Sequence, residues 1–208
     1  MKILNIASGY TSANTYLMID ESGAAALVDP GGDAPHLKSE IIKSGARVTH
    51  ILLTHGHFDH ILALTELREF THAPVCIHKL DAICLSDTTY SLMSMIGRSD
   101  TFAPAEELLE DKDVIRVGSS DISVIHTPGH TMGSVCYLTG RDLLTGDTLF
   151  KQSIGRTDFP GGDFETLEAS VQKLYAQNGD YTVYPGHGEP TTLDAERLYN
   201  PYIKMKND

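Results

Sequence analysis

The chain has 208 residues, 41% of them apolar, and reads as one domain (1–208) with room for a sizeable core. A formal net charge of −12 with no run of Lys or Arg disfavours a phosphate backbone as partner. The N-terminus, MKILNIASGY, lacks the long apolar stretch of a signal peptide and no segment reaches about 18 apolar residues, so no membrane span is expected and a cytoplasmic location is.

Segments 2–6, 15–20 and 24–29 have the pattern of strands, with turns between them at Ser8-Gly9 and Glu21-Ser22-Gly23. LVDPGG ends the third at Asp29, where Pro30 fixes φ and Gly31-Gly32 accept unusual backbone angles. A helix is predicted over 34–44, with Leu37, Ile41 and Ile42 inward and Gly45 as its stop. Ile51, Leu52 and Leu53 are an unbroken apolar run, which suits a buried central strand. The cluster THGHFDH follows at once. Beyond it Ile61, Leu64, Leu67 and Phe70 recur at helical spacing, so Asp59 falls at a helix start, where free N–H groups favour a carboxylate. PVCIH (74–78) is the next strand. Residues 79–110 read as a mostly helical excursion bordering a site mouth.

The second half is richer in strands: DVIRVG, DISVIHTPG, SVCYLTG and DLLTGD, divided by turns. A loop over 149–162 leads to a helix over 164–176, a last strand and turn in YTVYPGHG, and a helix over 193–199 ended near Asn200-Pro201. Cys76 and Cys136 lie in apolar runs and read as core thiols, which suits a reducing compartment. Two mixed sheets packed face to face with helices outside would account for this order. ILLTHGH, VIHTPGH, LLTGD and VYPGHG repeat one pattern, a strand followed by a ligand-type residue, and those four strand ends are expected to converge on one rim.

The converging residues are His55, His57, Asp59, His60, His130, Asp147 and His187. In His-x-His-x-Asp-His a tight turn at Gly56 directs alternate side chains into one cavity. His55 and His57 could take one metal and Asp59 with His60 a second, His130 and His187 completing the sets and Asp147 reaching both. Imidazole and carboxylate donors suit two divalent metals, zinc first, with iron or manganese as alternatives. Two metals roughly 3.5–4 Å apart share a solvent oxygen, which their charge turns to hydroxide near neutral pH and which can attack a carbonyl. Asp59 and Asp147 then act as ligands that position this hydroxide, not as free bases. A thiol has a pKa of only about 8.5 and leaves with little help, so thioester hydrolysis needs few residues beyond the ligands. His36, His50, His72, His78 and His126 sit in strands or helices or at their ends and read as structural or surface residues.

Together, THGHFDH, TPGHT with Ser134 following, TGDTLF and PGHG resemble the metallo-β-lactamase superfamily, in order and over nearly the whole chain. The resemblance implies an α+β four-layer αββα sandwich with the site at one edge of the sheets. It implies His55, His57 and His130 on one metal, Asp59, His60 and His187 on the other, and Asp147 bridging. Within the superfamily, GDTLFKQSIGRTDFPGGD looks most like small glyoxalase II enzymes (hydroxyacylglutathione hydrolases), so a small-molecule thioester such as S-D-lactoylglutathione is the expected substrate. Arg156 stands nine residues beyond Asp147, near where that group places a substrate-contacting lysine, and Lys151 in the same loop is a second candidate contact. GRTDF is also similar to persulfide dioxygenases, which would use one iron on His55, His130 and Asp147. A noncatalytic metal-binding protein is the reading from a different class. The oligomeric state is not legible.

Overall fold

Lys2–Ala7 (β1), Asn14–Ile19 (β2) and Ala24–Val28 (β3) form an antiparallel meander in the computed structural model, which describes residues 1–7 and 12–204. The turn expected at Ser8-Gly9 lies outside the described residues. Every residue of β3 is buried, as its small apolar sequence AAALV allows for a strand covered on both faces. Ala34–Ser44 (α1) then crosses over. Asp33 caps it by accepting from the His36 N–H, and Gly45 closes it in the left-handed conformation at φ 68°. Leu37 and Ile41 face inward as expected, but Ile42 is 67% exposed. Residues four apart share a helix face and the next one along is turned some 100° away.

Arg47–Leu52 (β4) pairs parallel with β3. The ligand cluster follows, then two short helices in place of one, Phe58–Ile61 (α2) and Leu64–Thr71 (α3), with Phe70 39% exposed on the second. Val75–His78 (β5) and Glu107–Leu109 (β6) complete a six-stranded sheet of order β1-β2-β3-β4-β5-β6. The excursion between β5 and β6 departs from the helical expectation. It contains only the 3-10 turns Ala82–Leu85 and Met93–Ile96, and Leu92 at φ 62° interrupts any continuous helix.

Val114–Val117 (β7), Ser120–His126 (β8), Val135–Thr139 (β9) and Asp142–Gly146 (β10) build the second sheet by antiparallel pairing. The predicted loop after Asp147 carries a small hairpin, Leu149–Phe150 (β11) with Ser153–Ile154 (β12). Phe164–Tyr175 (α4), capped by Asp163, returns the chain to Thr182–Pro185 (β13), which joins β10 in parallel. Thr191–Thr192 (β14) and Leu193–Tyr199 (α5) end the described fold. The sheet order is β14-β13-β10-β9-β8-β7.

Three apolar cores separate four layers. Leu37, Ile41, Leu64 and Leu67 of the first helices pack on Leu17, Leu27 and Ile51. Met18, Val28 and Leu52 of the first sheet meet Val124, Tyr137 and Leu144 of the second. Val171 and Leu174 of α4 cover Cys136, Leu143 and Val183. The result is two mixed sheets face to face with helices on both outer faces, the αββα sandwich. The cysteines are buried and free. None of the described helices is long and apolar enough to cross a membrane.

The two ends of the sandwich differ. At one, β4, β8, β10 and β13 stop and the four turns that carry the candidate ligands begin. At the other, Asp20 after β2 ties the sheets together: its carboxylate accepts from the Ser22 N–H at 2.8 Å and from the Ser119 and Ser120 hydroxyls at 2.9 and 2.6 Å.

Candidate metal centre

Four separate turns bring the seven sequence-selected residues into one cluster. The ligand-type atoms of His55, His57 and His130 lie within 4.8 Å of one another, and so do those of Asp59, His60 and His187. Asp147 lies between: Oδ1 is 3.4 Å from His60 Nε2, and Oδ2 is 3.5 Å from both His130 Nε2 and His187 Nε2. The first set is wholly buried, whereas Asp59 and His187 of the second reach solvent.

The rings are held from behind. His130 Nδ1 donates to the Arg156 carbonyl at 2.7 Å, and His187 Nδ1 to the Ser12 carbonyl at 3.2 Å. His60 Nδ1 donates to Asp29 Oδ2 at 3.0 Å. The Thr54 hydroxyl donates to the same Asp29 oxygen at 2.6 Å and so receives the N–H of His55 Nδ1 at 3.1 Å. Each of these four rings therefore turns Nε2 to the centre, the arrangement that outer partners impose on metal-binding histidines. His57 is reversed, with Nδ1 3.0 Å from His130 Nε2.

The donor chemistry fits a cation. Among the described residues, buried His55 Nε2, His57 Nε2 and Asp147 Oδ1 have no hydrogen-bond partner, although buried polar atoms are nearly always satisfied. His60 Nε2 and His187 Nε2 face each other at 3.3 Å while both Nδ1 atoms are engaged elsewhere, so a positive charge, a proton or a metal cation, belongs between them. Burial pushes His55, His57 and His130 below the ordinary imidazole value, His57 to about 3, which keeps them in the neutral form that can ligate. Burial opposes protonation at His60 and His187 too, but the carboxylates of Asp147 and Asp59 override it and hold both above that value. Burial likewise works against charge on Asp59 and Asp147, yet His60 keeps both below the usual carboxylate range. At Gly186 a side chain would not fit: an added Cβ would fall 2.2 Å from Asp147 Oδ1.

A cavity of about 560 Å³ opens onto this cluster. His57, Asp59, His130, Asp147 and His187 form its floor, and Phe58, Leu92, Met95, Ile96, Phe150, Ile154 and Phe159 its walls. The 79–110 excursion thus borders the mouth, as its position in the sequence suggests. Arg156 also lines the cavity. Its guanidinium donates twice to Asp158, both at 2.7 Å, and lies 3.8 Å from the Phe159 ring centre. Lys151 is exposed, pairs with Glu189 at 2.7 Å, and is not among the lining residues. His78 and His126 stack on each other 4.0 Å apart, and His72 ends α3 in the left-handed conformation, both apart from the cluster.

Sequence reasoning missed Asp29, Thr54 and the carbonyls of Ser12 and Arg156. Asp29 alone left a trace, since it ends an apolar strand as Asp147 does. It is buried at φ 50°, and its Oδ1 also accepts from the Thr54 N–H at 2.7 Å.

The family model described as the metallo-beta-lactamase superfamily matches residues 9–187. Hydroxyacylglutathione hydrolase GloC of Haemophilus influenzae is 32% identical, over 93% of this chain and 94% of that protein. The crystal structure of BLEG-1 B3 metallo-beta-lactamase superposes with a TM-score of 0.92 at 37% identity, covering 97% of this chain and 99% of that one. That of TTHA1623 in a di-iron-bound form gives 0.86 at 32% identity, covering 96% and 100%.

Proposed function

The chain belongs to the metallo-β-lactamase superfamily, and on that premise we propose that it is a metal-dependent thioester hydrolase, with S-D-lactoylglutathione as the substrate that tests it. His55, His57 and His130 would hold one cation, Asp59, His60 and His187 a second, and Asp147 would serve both. Zinc suits these donors, with iron and manganese next. Two divalent cations held there would act as Lewis acids toward a carbonyl and toward solvent.

The thioester class is supported by what the cavity lacks. Apart from the assigned ligands, its lining offers one titratable side chain among the described residues, Arg156, which stays protonated and is no proton donor. An alkoxide or amine leaving group draws on a general acid. A thiolate, from a thiol of pKa about 8.5, does not. The name of the Haemophilus influenzae relative points the same way. In this reading Asp29, Thr54 and the Arg156 carbonyl fix the imidazole tautomers, the apolar walls exclude water from the acyl group, and Arg156 and more distantly Lys151 meet the polar arm of the thiol.

A second reading, oxidation of a persulfide with one iron on His55, His130 and Asp147, rests on their adjacency: His130 Nε2 is 3.5 Å from Asp147 Oδ2 and the His55 and His130 ring centres are 4.8 Å apart. One experiment separates the two. Purified protein of measured metal content is given S-D-lactoylglutathione and, separately, glutathione persulfide with oxygen. Thioester turnover with two metals per chain is expected. Oxygen consumption on the persulfide with one iron per chain and no thioester cleavage would overturn the hydrolase reading.

A further inference from the structure

The excursion between β5 and β6 also reaches behind the cluster, through Asp81. This residue is 1% exposed and precedes the 3-10 turn Ala82–Leu85. Its backbone is fixed on both sides: its N–H donates to the His78 carbonyl at 2.9 Å and its carbonyl accepts from the Cys84 N–H at 3.0 Å. Oδ2 accepts from the Gly56 N–H at 3.2 Å and the Thr131 hydroxyl at 2.7 Å, and Oδ1 from the Gly133 N–H at 2.6 Å. Gly56 stands between His55 and His57, and Thr131 follows His130. One carboxylate thus joins the two turns that carry the three-histidine set, one from each sheet. Farther back along both segments the Val135 N–H donates to the Thr54 carbonyl at 2.8 Å and the Tyr137 hydroxyl to the Leu53 carbonyl at 2.7 Å, and within the set itself His57 Nδ1 lies 3.0 Å from His130 Nε2.

We propose that Asp81 is a positioning residue for that set: its carboxylate fixes the separation of the His55–His57 turn from the His130 turn and thereby the affinity of those histidines for a cation. The inference rests on the reading that His55, His57 and His130 hold one. The second set does not depend on it. None of Asp59, His60 and His187 bonds to Asp81, and the His187 turn is anchored from β2, where the Asn14 amide donates to the carbonyls of Pro185 at 2.9 Å and Gly188 at 3.0 Å.

The donor set calls for a carboxylate. All three bonds come from donors, and two are backbone N–H groups that cannot reverse. Asparagine has one acceptor oxygen, so its amide would turn N–H toward N–H at one of the turns. Both turns approach the 81–84 segment closely: an added Cβ at Gly133 would fall 2.5 Å from Asp81 N, and one at Gly56 2.2 Å from the Cys84 Cβ. Burial pushes the Asp81 carboxyl up to about 6 in spite of its three donors, so the fold carries this group at a cost a plain turn would avoid.

The test is zinc binding to the purified full chain, read by competition with a chromophoric chelator that resolves two dissociation constants, with thermal melting of the metal-stripped protein alongside. Asp81→Asn is expected to weaken one equivalent about 10-fold or more, the usual effect of removing an outer partner, and to leave the other within about twofold. In a His57→Ala background it should cause no further loss in the remaining equivalent, which identifies the affected set. Thr131→Val should weaken the same equivalent by a smaller factor, and Thr131→Ser should restore it. A parallel loss at both equivalents, or unchanged constants in Asp81→Asn, would overturn the inference. Should Asp81→Asn not fold, unchanged constants in Thr131→Val would do the same. Wild-type protein that binds no zinc would remove the proposed function and this inference together, an outcome distinct from any of these.

Discussion

The two ends of the sandwich solve the same problem in opposite ways. Each gathers acidic and polar side chains where strands of both sheets stop. At the Asp20 end every carboxylate bond runs to a donor of the protein itself, three of them from two turns, and the sheets are locked. At the ligand end the turns are held from behind, by Asp29 and by backbone carbonyls, while His55 Nε2, His57 Nε2 and Asp147 Oδ1 find no partner among the described residues. Identical architecture therefore yields a structural clamp where polarity is satisfied internally and a candidate binding centre where it is left over.

The largest departure should come from the ligand end. Asp147→Ala removes the group nearest to both sets, and cation content and thioester turnover should fall together. The loss in turnover should exceed the roughly 100-fold upper range for an outer partner. Full metal content with near-normal turnover would refute the bridging role. Gly56→Ala acts on the same end through sterics. The new methyl meets Cys84, so a destabilisation of about 1–3 kcal/mol is expected in urea titration, and an unchanged midpoint would contradict the packing described.

The opposite end should respond to acid and not to metal. Hydrogen bonds from the Ser120 and Ser22 groups hold the Asp20 carboxyl well below the usual carboxylate range. An acid with a depressed folded-state pKa stabilises the fold above its unfolded value of about 3.9, and that contribution is lost as pH falls below it. Asp20→Asn should therefore lower stability at neutral pH, flatten its decline below about pH 4, and leave cation affinity unchanged. A variant as acid-sensitive as the parent would show that the clamp is not electrostatic.

The smallest effects belong to the rim of the cavity. Arg156→Ala should raise KM for S-D-lactoylglutathione by a few-fold with little change in kcat, since exposed ion pairs are worth about 0–1 kcal/mol. Asp158→Asn, which frees the guanidinium, should lower it. An unchanged KM in both would reject a substrate contact at Arg156.

Much of this was legible in the sequence, for reasons particular to it. Four apolar runs each stop at a turn with a histidine or aspartate, so strand ends and candidate donors were marked together. Helices α1 and α4 carry periodic apolar faces that local reading recovers, and α5 ends at Asn200 ahead of Pro201 as the sequence suggests. What escaped depends on distant partners. Asp29 and Asp81 look like ordinary turn residues until Thr54, His60, Gly56 and Gly133 arrive from elsewhere in the chain. The stretch from Lys79 to Glu106 misled because its apolar residues do not share a helix face. Met93 is buried while Met95 and Ile96 point into the cavity wall, an arrangement set by the left-handed Leu92 and not by periodicity.

The unequal depth of the two ligand sets carries a kinetic consequence. The side chains of His187 and Asp59 are 28% and 20% exposed, whereas the three-histidine set is buried and meets the cavity only through His57 and His130 at its floor. A chelator arriving from bulk water meets the outer position first, so stripping should proceed in sequence, with the outer ion lost quickly and the inner one only afterwards. Timed chelation would then trap a half-loaded species, and its residual activity would tell whether one ion suffices for turnover.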